Sequence, residues 1–446
     1  MTVAPPHVTP APDVGTPTTD ASPAPSPSPS PSPSPTPSPT PAPGRIRRLL
    51  PLLGPAVVAA TAYVDPGNFA TNTLAGASHG TLLLWVVVTA NLMAVLVQYL
   101  SAKLGVATGR NLPQLCREHY PRPLTRMLWV QAEAVAIATD LAEVVGGAIA
   151  LNLLFGVPLL PGGIAVGVVA WALLAVHQRR PRRFELLVVA LFVGVVVCLL
   201  TTLGQTSPDP ALVAGGLVPG LDGTGSLVLA TGILGATVMP HVIYLHSDLT
   251  RTARRRAGGT RAALRGQRVD LAVGMGTAGV LNAVMLVVAA TVFFRPGVEA
   301  PEDLEGVHAG LGTLAGPLAA GAFAVALLLS GLVSSGVGTY AGQVIMDGFL
   351  RRRVPLWVRR AVTLGPALLL LGLGTDPTLV LLISQVVLSF GIPFALVPVL
   401  ELGRRRALMG ALTTRPAVTA VAGVLAVVVI GVNAHLVVTV LASGLS

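Results

Sequence analysis

Two short polar interruptions carry the residues best suited to chemistry: Asp65-Pro66-Gly67-Asn68 and Met239-Pro240-His241, each in the middle of a long apolar stretch. A carboxylate, an amide and a thioether are expensive in hydrocarbon, so their presence implies the lining of a site for something polar. Asp65 precedes Pro66 and Gly67, which predicts a helix that stops near Asp65 and restarts after Asn68, with free carbonyls at one end of the gap and free amides at the other. Asp65 and Asn68 then both offer oxygen. Pro240 has no N–H and its ring clashes with the carbonyl four residues earlier, so the Ala236 carbonyl becomes a ready ligand. Met239 adds a soft sulfur, a better partner for Mn²⁺, Fe²⁺ and heavier transition ions than for Mg²⁺ or Ca²⁺. Oxygens with one thioether point to a divalent transition metal.

A second group consists of Glu133, Asp140 and Glu143, which at i, i+7 and i+10 share one face of a helix. Three carboxylates on one intramembrane stripe repel unless they are protonated or paired, which suits a proton relay. Asp65 can both bind a cation and release a proton, because a bound dication favours the carboxylate form. His246 and Asp248 are candidates for an inner gate. Ser330, Gly331, Ser334, Ser335, Gly336 and Gly338 read as small residues that let helices approach closely.

The elements that must position these groups are membrane spans. Hydrophobic residues make up 52% of the 446-residue chain and charged ones 11%, which excludes a soluble globular domain. Eleven apolar stretches approach the length needed to cross a bilayer: 49–76, 82–106, 127–155, 159–177, 184–204, 226–250, 268–294, 317–345, 356–373, 378–400 and 416–441. The net charge of +10 resides in short clusters between them, so it sets topology and excludes nucleic acid as a partner. The clusters precede span 1 and follow spans 2, 4, 6, 8 and 10, and only Arg295 falls outside them. This alternation predicts a multi-pass protein of the plasma membrane with a cytoplasmic N-terminus and an extracellular C-terminus. The acidic loop from Glu299 to Glu305 then reads as an extracellular, solvated segment. Residues 1–43 lack an apolar run and end in alternating Ser/Pro, so they read as a disordered cytoplasmic tail ahead of a single transmembrane domain, 44–446. Cys116 and Cys198 are far apart and suggest neither a disulfide nor a zinc cage.

Spans 1 and 6 are the two with polar, Pro-containing breaks. Five spans separate their starts, so the second set of five enters the membrane in the opposite direction. That is the pattern of a 5+5 inverted repeat (LeuT-like) with discontinuous helices 1 and 6, about 49–204 and 226–400, plus one extra C-terminal helix, about 416–441.

Asp65-Pro66-Gly67-Asn68 together with Ala236-Thr237-Val238-Met239-Pro240-His241 and Leu245-His246-Ser247 resembles the Nramp family of proton-coupled divalent-metal transporters, of the bacterial manganese-transporter type. Thr139-Asp140-Leu141-Ala142-Glu143, Gly342-Gln343 with Met346, and Ser384-Gln385 with Ile392-Pro393-Phe394 are similar to further family segments. The resemblance implies that Asp65, Asn68, Met239 and the Ala236 carbonyl bind metal, joined in some conformations by the Ala62 carbonyl and Gln385. It also implies that His241, Asp140 and Glu143 pass protons toward the cytoplasm, with Arg360 and Arg359 as partners. Val242, where many relatives have Asn, and the Ser/Pro tail depart from the pattern without touching an inferred ligand. Met239 separates this chain from a magnesium-carrying branch that resembles the family and lacks the Met.

The leading expectation is a proton-coupled symporter that imports Mn²⁺, with Fe²⁺ and other divalent transition metals, by alternating access. The metal is substrate and no cofactor or obligate protein partner is implied; the chain is no enzyme. An amino-acid or sodium symporter on the same fold would set Asp65 against an organic carboxylate. An intramembrane metalloprotease lacks support, since no H-E-x-x-H occurs.

Overall fold

In hydrocarbon each backbone polar group must be paired within its own segment, and the apolar stretches accordingly fold as helices. The computed structural model describes residues 60–350, except residue 180, and residues 356–443. The tail 1–43, the first part of span 1 and the basic segment 351–355 lie outside the described residues.

The helices that correspond to the predicted spans are α1 (Pro66–His79), α2 (Leu84–Thr108), α4 (Arg122–Phe155), α5 (Leu159–Arg179), α6 (Pro181–Gly204), α8 (Gly223–Thr237), α9 (Pro240–Thr250), α11 (Thr260–Phe293), α13 (Pro317–Leu350), α14 (Leu356–Gly372), α15 (Pro377–Arg404) and α17 (Pro416–Ser443). Shorter helices α3 (Leu112–His119), α7 (Pro210–Gly215), α10 (Ala253–Arg256), α12 (Leu304–Leu314) and α16 (Arg406–Met409) connect them. Among the described residues each predicted span has a helical counterpart, span 1 from residue 60 onward and span 6 as the pair α8 and α9. Among the described residues, eight helical stretches are long and apolar enough to cross a membrane, and α5 and α14 contribute shorter apolar segments.

Helices α4, α11 and α13 have 34 residues each, about 51 Å of helix against a hydrocarbon core of about 30 Å. Their extra turns, relative to the sequence expectation, all lie at the ends that carry the basic segments. Asp303 caps α12 by accepting a hydrogen bond from Gly306 N at 2.6 Å. This corrects the reading of 299–305 as merely a solvated acidic loop. The missed signal was an N-cap acid ahead of Leu304, Val307 and Leu311, all buried on one helical face.

The polar breaks sit at the centre of the bundle. Helices α1, α8 and α9 are buried along nearly all their length, whereas Ile164, Val168, Val193, Val197, Val424 and Val427 face outward from α5, α6 and α17. Close approach depends on glycine: a Cβ on Gly235 would lie 1.8 Å from the Gln385 carbonyl oxygen, and one on Gly146 would lie 2.1 Å from Pro66 Cβ. Helix α8 therefore touches the α15 backbone directly, and α4 meets the first break without a side chain between them.

Candidate functional site

The first break consists of Tyr63, Val64 and Asp65, after a helical turn at 60–62. Asp65 is extended (φ −100°, ψ 171°) and caps α1, its Oδ1 accepting from Asn68 N and from Asn68 Nδ2, both at 2.8 Å. The helix resumes at Pro66, which corrects the expectation of a restart after Asn68. Asn68 lies in the first turn of α1. Proline at the first helical position loses an N–H that would be orphaned anyway, and Asp is a strong N-cap, so Asp-Pro starts this helix as much as it ends the one before.

The carbonyls that the break exposes are shared among neighbouring helices. Tyr63 O accepts from Asn282 Nδ2 at 3.0 Å and Val64 O from Ser330 Oγ at 2.6 Å. The Ala62 carbonyl would pair with the amide four residues on, but that residue is Pro66. That helical partner is therefore missing.

The second break repeats this template. Helix α8 ends at Thr237, Met239 is extended (φ −71°, ψ 114°), and Pro240 opens α9. Met239 thus stands before its proline as Asp65 stands before Pro66, and Ala236 stands four residues before Pro240 as Ala62 does before Pro66. The two breaks meet: Asn68 Nδ2 donates to the Ala236 carbonyl at 3.1 Å. Gln385 closes the cluster from α15, since a Cβ on Gly67 would fall 2.1 Å from its Nε2.

Asp65, Asn68, Met239, Ala236, Ala62 and Gln385 are each no more than 1% exposed. Asp65 Oδ2, Asn68 Oδ1 and Gln385 Oε1 are buried with no hydrogen-bond partner. Unpaired buried oxygens are costly unless something electropositive meets them. Among the described residues no three His, Cys, Asp or Glu side chains gather as a metal cage. The donor set that the fold brings together is one carboxylate, two amide oxygens and backbone carbonyls, with the Met239 thioether at the second break.

The titratable stripe on α4 begins beside this cluster. His241 Nδ1 lies 3.2 Å from Thr139 Oγ1. Asp140 pairs with Arg360 at 3.1 Å, and Arg360 also donates to Thr339 Oγ1 at 2.9 Å and Ser335 Oγ at 2.6 Å. Glu143 is 1% exposed, with Asp140, Arg360 and Asp65 as its charged neighbours. Glu133 is only half-buried, farther along the helix. The Arg359 side chain lies outside the described residues.

His246 bridges two amides, with Nδ1 at 2.8 Å from Gln98 Oε1 and Nε2 at 3.2 Å from Gln267 Oε1. Gln98 in turn bonds the Tyr63 hydroxyl at the first break. Asp248 accepts from Asn111 Nδ2 at 2.8 Å and from Tyr340 at 3.4 Å, and it pairs with Arg251 at 3.4 Å. The end of α9 is thus tied to α3 and α13.

Sequence reasoning missed the residues that hold the breaks open. Asn282 and Gln98 were visible as lone amides in apolar helices. Ser330 and Ser335 were read as spacers, yet Ser330 bonds the Val64 carbonyl of the first break and Ser335 accepts from Arg360, whereas Gly331 and Gly338 do serve close approach. A Cβ on Gly338 would lie 2.8 Å from Glu143 Oε1.

Residues 56–439 match the model of the family described as natural resistance-associated macrophage protein-like (Nramp). A divalent metal cation transporter of Deinococcus radiodurans is 52% identical over 393 residues, which cover 88% of this chain and 90% of that protein. A crystal structure of a manganese transporter from Eremococcus coleocola is similar at a TM-score of 0.77 and 31% identity, covering 88% of this chain and 87% of that one. A nucleobase-cation-symport-1 family transporter shares only the fold, with a TM-score of 0.56 and 15% identity over 80% of this chain and 79% of that one. With a family model that matches most of its length and a relative more than half identical, this chain belongs to the Nramp family.

Proposed function

We propose that the chain imports Mn²⁺, and with it Fe²⁺ and other divalent transition metals, into the cytoplasm together with protons by alternating access. The observation that carries this reading is the meeting of two unwound helix midpoints, joined by the Asn68 to Ala236 hydrogen bond, around buried oxygens that lack partners. Asp65 supplies the charge that draws the dication from water. Asn68, the Ala236 carbonyl and, as the helices shift, the Ala62 carbonyl and Gln385 replace its hydration shell. Met239 discriminates: a thioether binds a borderline-soft ion and offers little to Ca²⁺ or Mg²⁺. The Deinococcus relative is a divalent metal cation transporter and the Eremococcus relative a manganese transporter, which supports a divalent metal cargo.

Protons take a neighbouring route, from Asp65 and His241 along Asp140 and Glu143 to Arg360, with Glu133 farther along the same helix. Arg360 occupies Asp140 in an ion pair and donates also to the Thr339 and Ser335 hydroxyls, so the neighbouring Glu143, with one carboxylate oxygen unpartnered, is the carboxyl that exchanges the proton. His246 and Asp248 form part of the inner gate, which opens when the amide and ion-pair ties of α9 break. The basic segments support a cytoplasmic N-terminus and an extracellular C-terminus. The repeats run over about 49–204 and 226–400, preceded by the tail 1–43 and followed by α17. A symporter of organic acids fits poorly, because Asp65 presents an unpaired carboxylate oxygen to the gap.

The test is Mn²⁺ uptake into sealed liposomes that carry the purified chain. Replacing Asp65→Ala abolishes uptake on this reading; undiminished flux removes the basis for the site. A pH-sensitive dye inside the vesicles reports acidification with the metal, and its silence rejects proton coupling.

A further inference from the structure

We propose that the groove between α15 and α17 binds an anionic phospholipid, with the phosphate at Arg404 and an acyl chain lying along the helix pair. The two helices are pinned together at two levels. Ser389 Oγ donates to Asn433 Oδ1 at 2.9 Å deep in the pair, and Thr414 N donates to Gly403 O at 2.9 Å near its basic end. Between these ties they part and leave a groove of about 1020 Å³.

The two ends of the groove differ in chemistry. Along its length Val397, Val427 and Ile430 make the walls, and Gly423 opens the floor, with nothing within 4 Å of where its Cβ would lie. From Pro416 to Ile430 the lining runs over 15 residues, a rise of about 21 Å from first to last. One leaflet of hydrocarbon is about 15 Å deep. A chain of a single lipid fits from the membrane surface to the midplane.

The basic end supplies the headgroup contact. Glu401 is the one acid that lines the groove, and its charge is met within the protein by Arg405 at 2.6 Å and by the Tyr120 hydroxyl at 2.5 Å. Arg404 is exposed and has no ion pair among the described residues. Arg406 and Arg415 are exposed on the flanking segment, and Lys103 Nζ reaches to 3.5 Å from Thr414 Oγ1 at the rim. A surplus of cations above an apolar slot matches a lipid with net negative charge and a fatty chain. Free phosphate would leave the apolar length unused, and a zwitterionic headgroup would leave the surplus charge unmet. Assigning the headgroup to the cytoplasmic leaflet rests on the orientation proposed above; binding itself does not.

The experiment is native mass spectrometry of the full chain, delipidated in detergent and titrated with phosphatidylglycerol or phosphatidylcholine. The parent retains phosphatidylglycerol preferentially. Arg404→Gln lowers that retention about fivefold, the effect of one basic side chain at an anionic surface, and Gly423→Leu, which fills the slot, lowers retention of both lipids. Arg404 is exposed, so its variant reports even where Gly423→Leu fails to fold. Equal retention of the two lipids by the parent, parental binding by Arg404→Gln, or full displacement by soluble glycerol phosphate overturns the proposal. Mn²⁺ uptake by the same preparations separates the two readings: lipid retention that fails with uptake intact removes this proposal alone.

Discussion

Gly67→Ala tests whether Gln385 belongs to the metal site, because the new methyl has one place to go. Its Cβ would sit 2.1 Å from Gln385 Nε2 and 2.2 Å from Cδ, where ordinary contact begins at 3.4 Å. The amide must retreat by more than an ångström. Gly67 is not among the glycines with positive φ, so the backbone accepts alanine and the defect is steric. Losing one neutral oxygen from the site weakens Mn²⁺ binding by about 1–1.5 kcal/mol, roughly tenfold in Kd. Gly235→Ala makes the opposite kind of clash, with the Gln385 backbone oxygen at 1.8 Å and Ser389 N at 2.8 Å. Backbone cannot swing aside, so this variant forces α8 from α15 and loses about 1–3 kcal/mol or more of stability. Gly423→Ala, with open space around it, is the control. Calorimetric Mn²⁺ titration and thermal melts of the purified proteins read the two effects. Gly67→Ala with parental affinity, or Gly235→Ala melting together with the Gly423→Ala control, refutes the packing argument.

Met239→Ala still carries Mn²⁺ in liposomes but admits competition by Ca²⁺ or Mg²⁺; a variant that excludes Ca²⁺ as well as the parent refutes the thioether's role. Arg360→Leu strands Asp140, whose side chain is 4% exposed, and loses about 3–5 kcal/mol on denaturation. Adding Asp140→Leu restores most of that stability and leaves proton coupling abolished. Three buried carboxylates, Asp65, Asp140 and Glu143, accompany one buried guanidinium, Arg360, an excess that a dication neutralises. Glu143→Gln therefore reduces the protons released on Mn²⁺ binding by about one per metal, measured with a dye in weak buffer, and unchanged release contradicts the charge argument.

The helices and the breaks were legible because hydrocarbon leaves few alternatives: an apolar stretch of the right length must be helical, and Asp65, Asn68 and Met239 stand out where polar groups are expensive. The direction of the break was not legible from proline alone. Pro66 and Pro240 disrupt the turn before them and initiate the turn after them, and only the caps at Asp65 and Met239 decide where the gap falls. The contacts that support the gap were hidden for another reason. Asn282, Gln98 and Ser330 lie 219, 35 and 266 positions from the residues they bond, and no local pattern ties them together. Gly235 was silent as well, since close approach to Gln385 depends on how two distant helices meet.

The position of Asn68 explains how the two breaks are held in register by the same oxygens proposed to take metal. Its Nδ2 donates both to Asp65 Oδ1 and to the Ala236 carbonyl, so the amide hydrogens lie between the carboxylate of one break and the carbonyl of the other. Its own Oδ1 has no partner. A half-turn of the amide would withdraw those hydrogens, release the Ala236 carbonyl, leave Asp65 Oδ1 with only the Asn68 backbone N–H, and bring a further oxygen toward the gap. Aspartate at this position would have no hydrogens to give, and two carboxylates would then face each other across the break. An apolar residue could not join the breaks at all. The amide is the side chain that can hold the two half-helices together with its nitrogen and offer an oxygen to a dication, and on the proposed function that dual capacity would link metal binding to relative movement of spans 1 and 6.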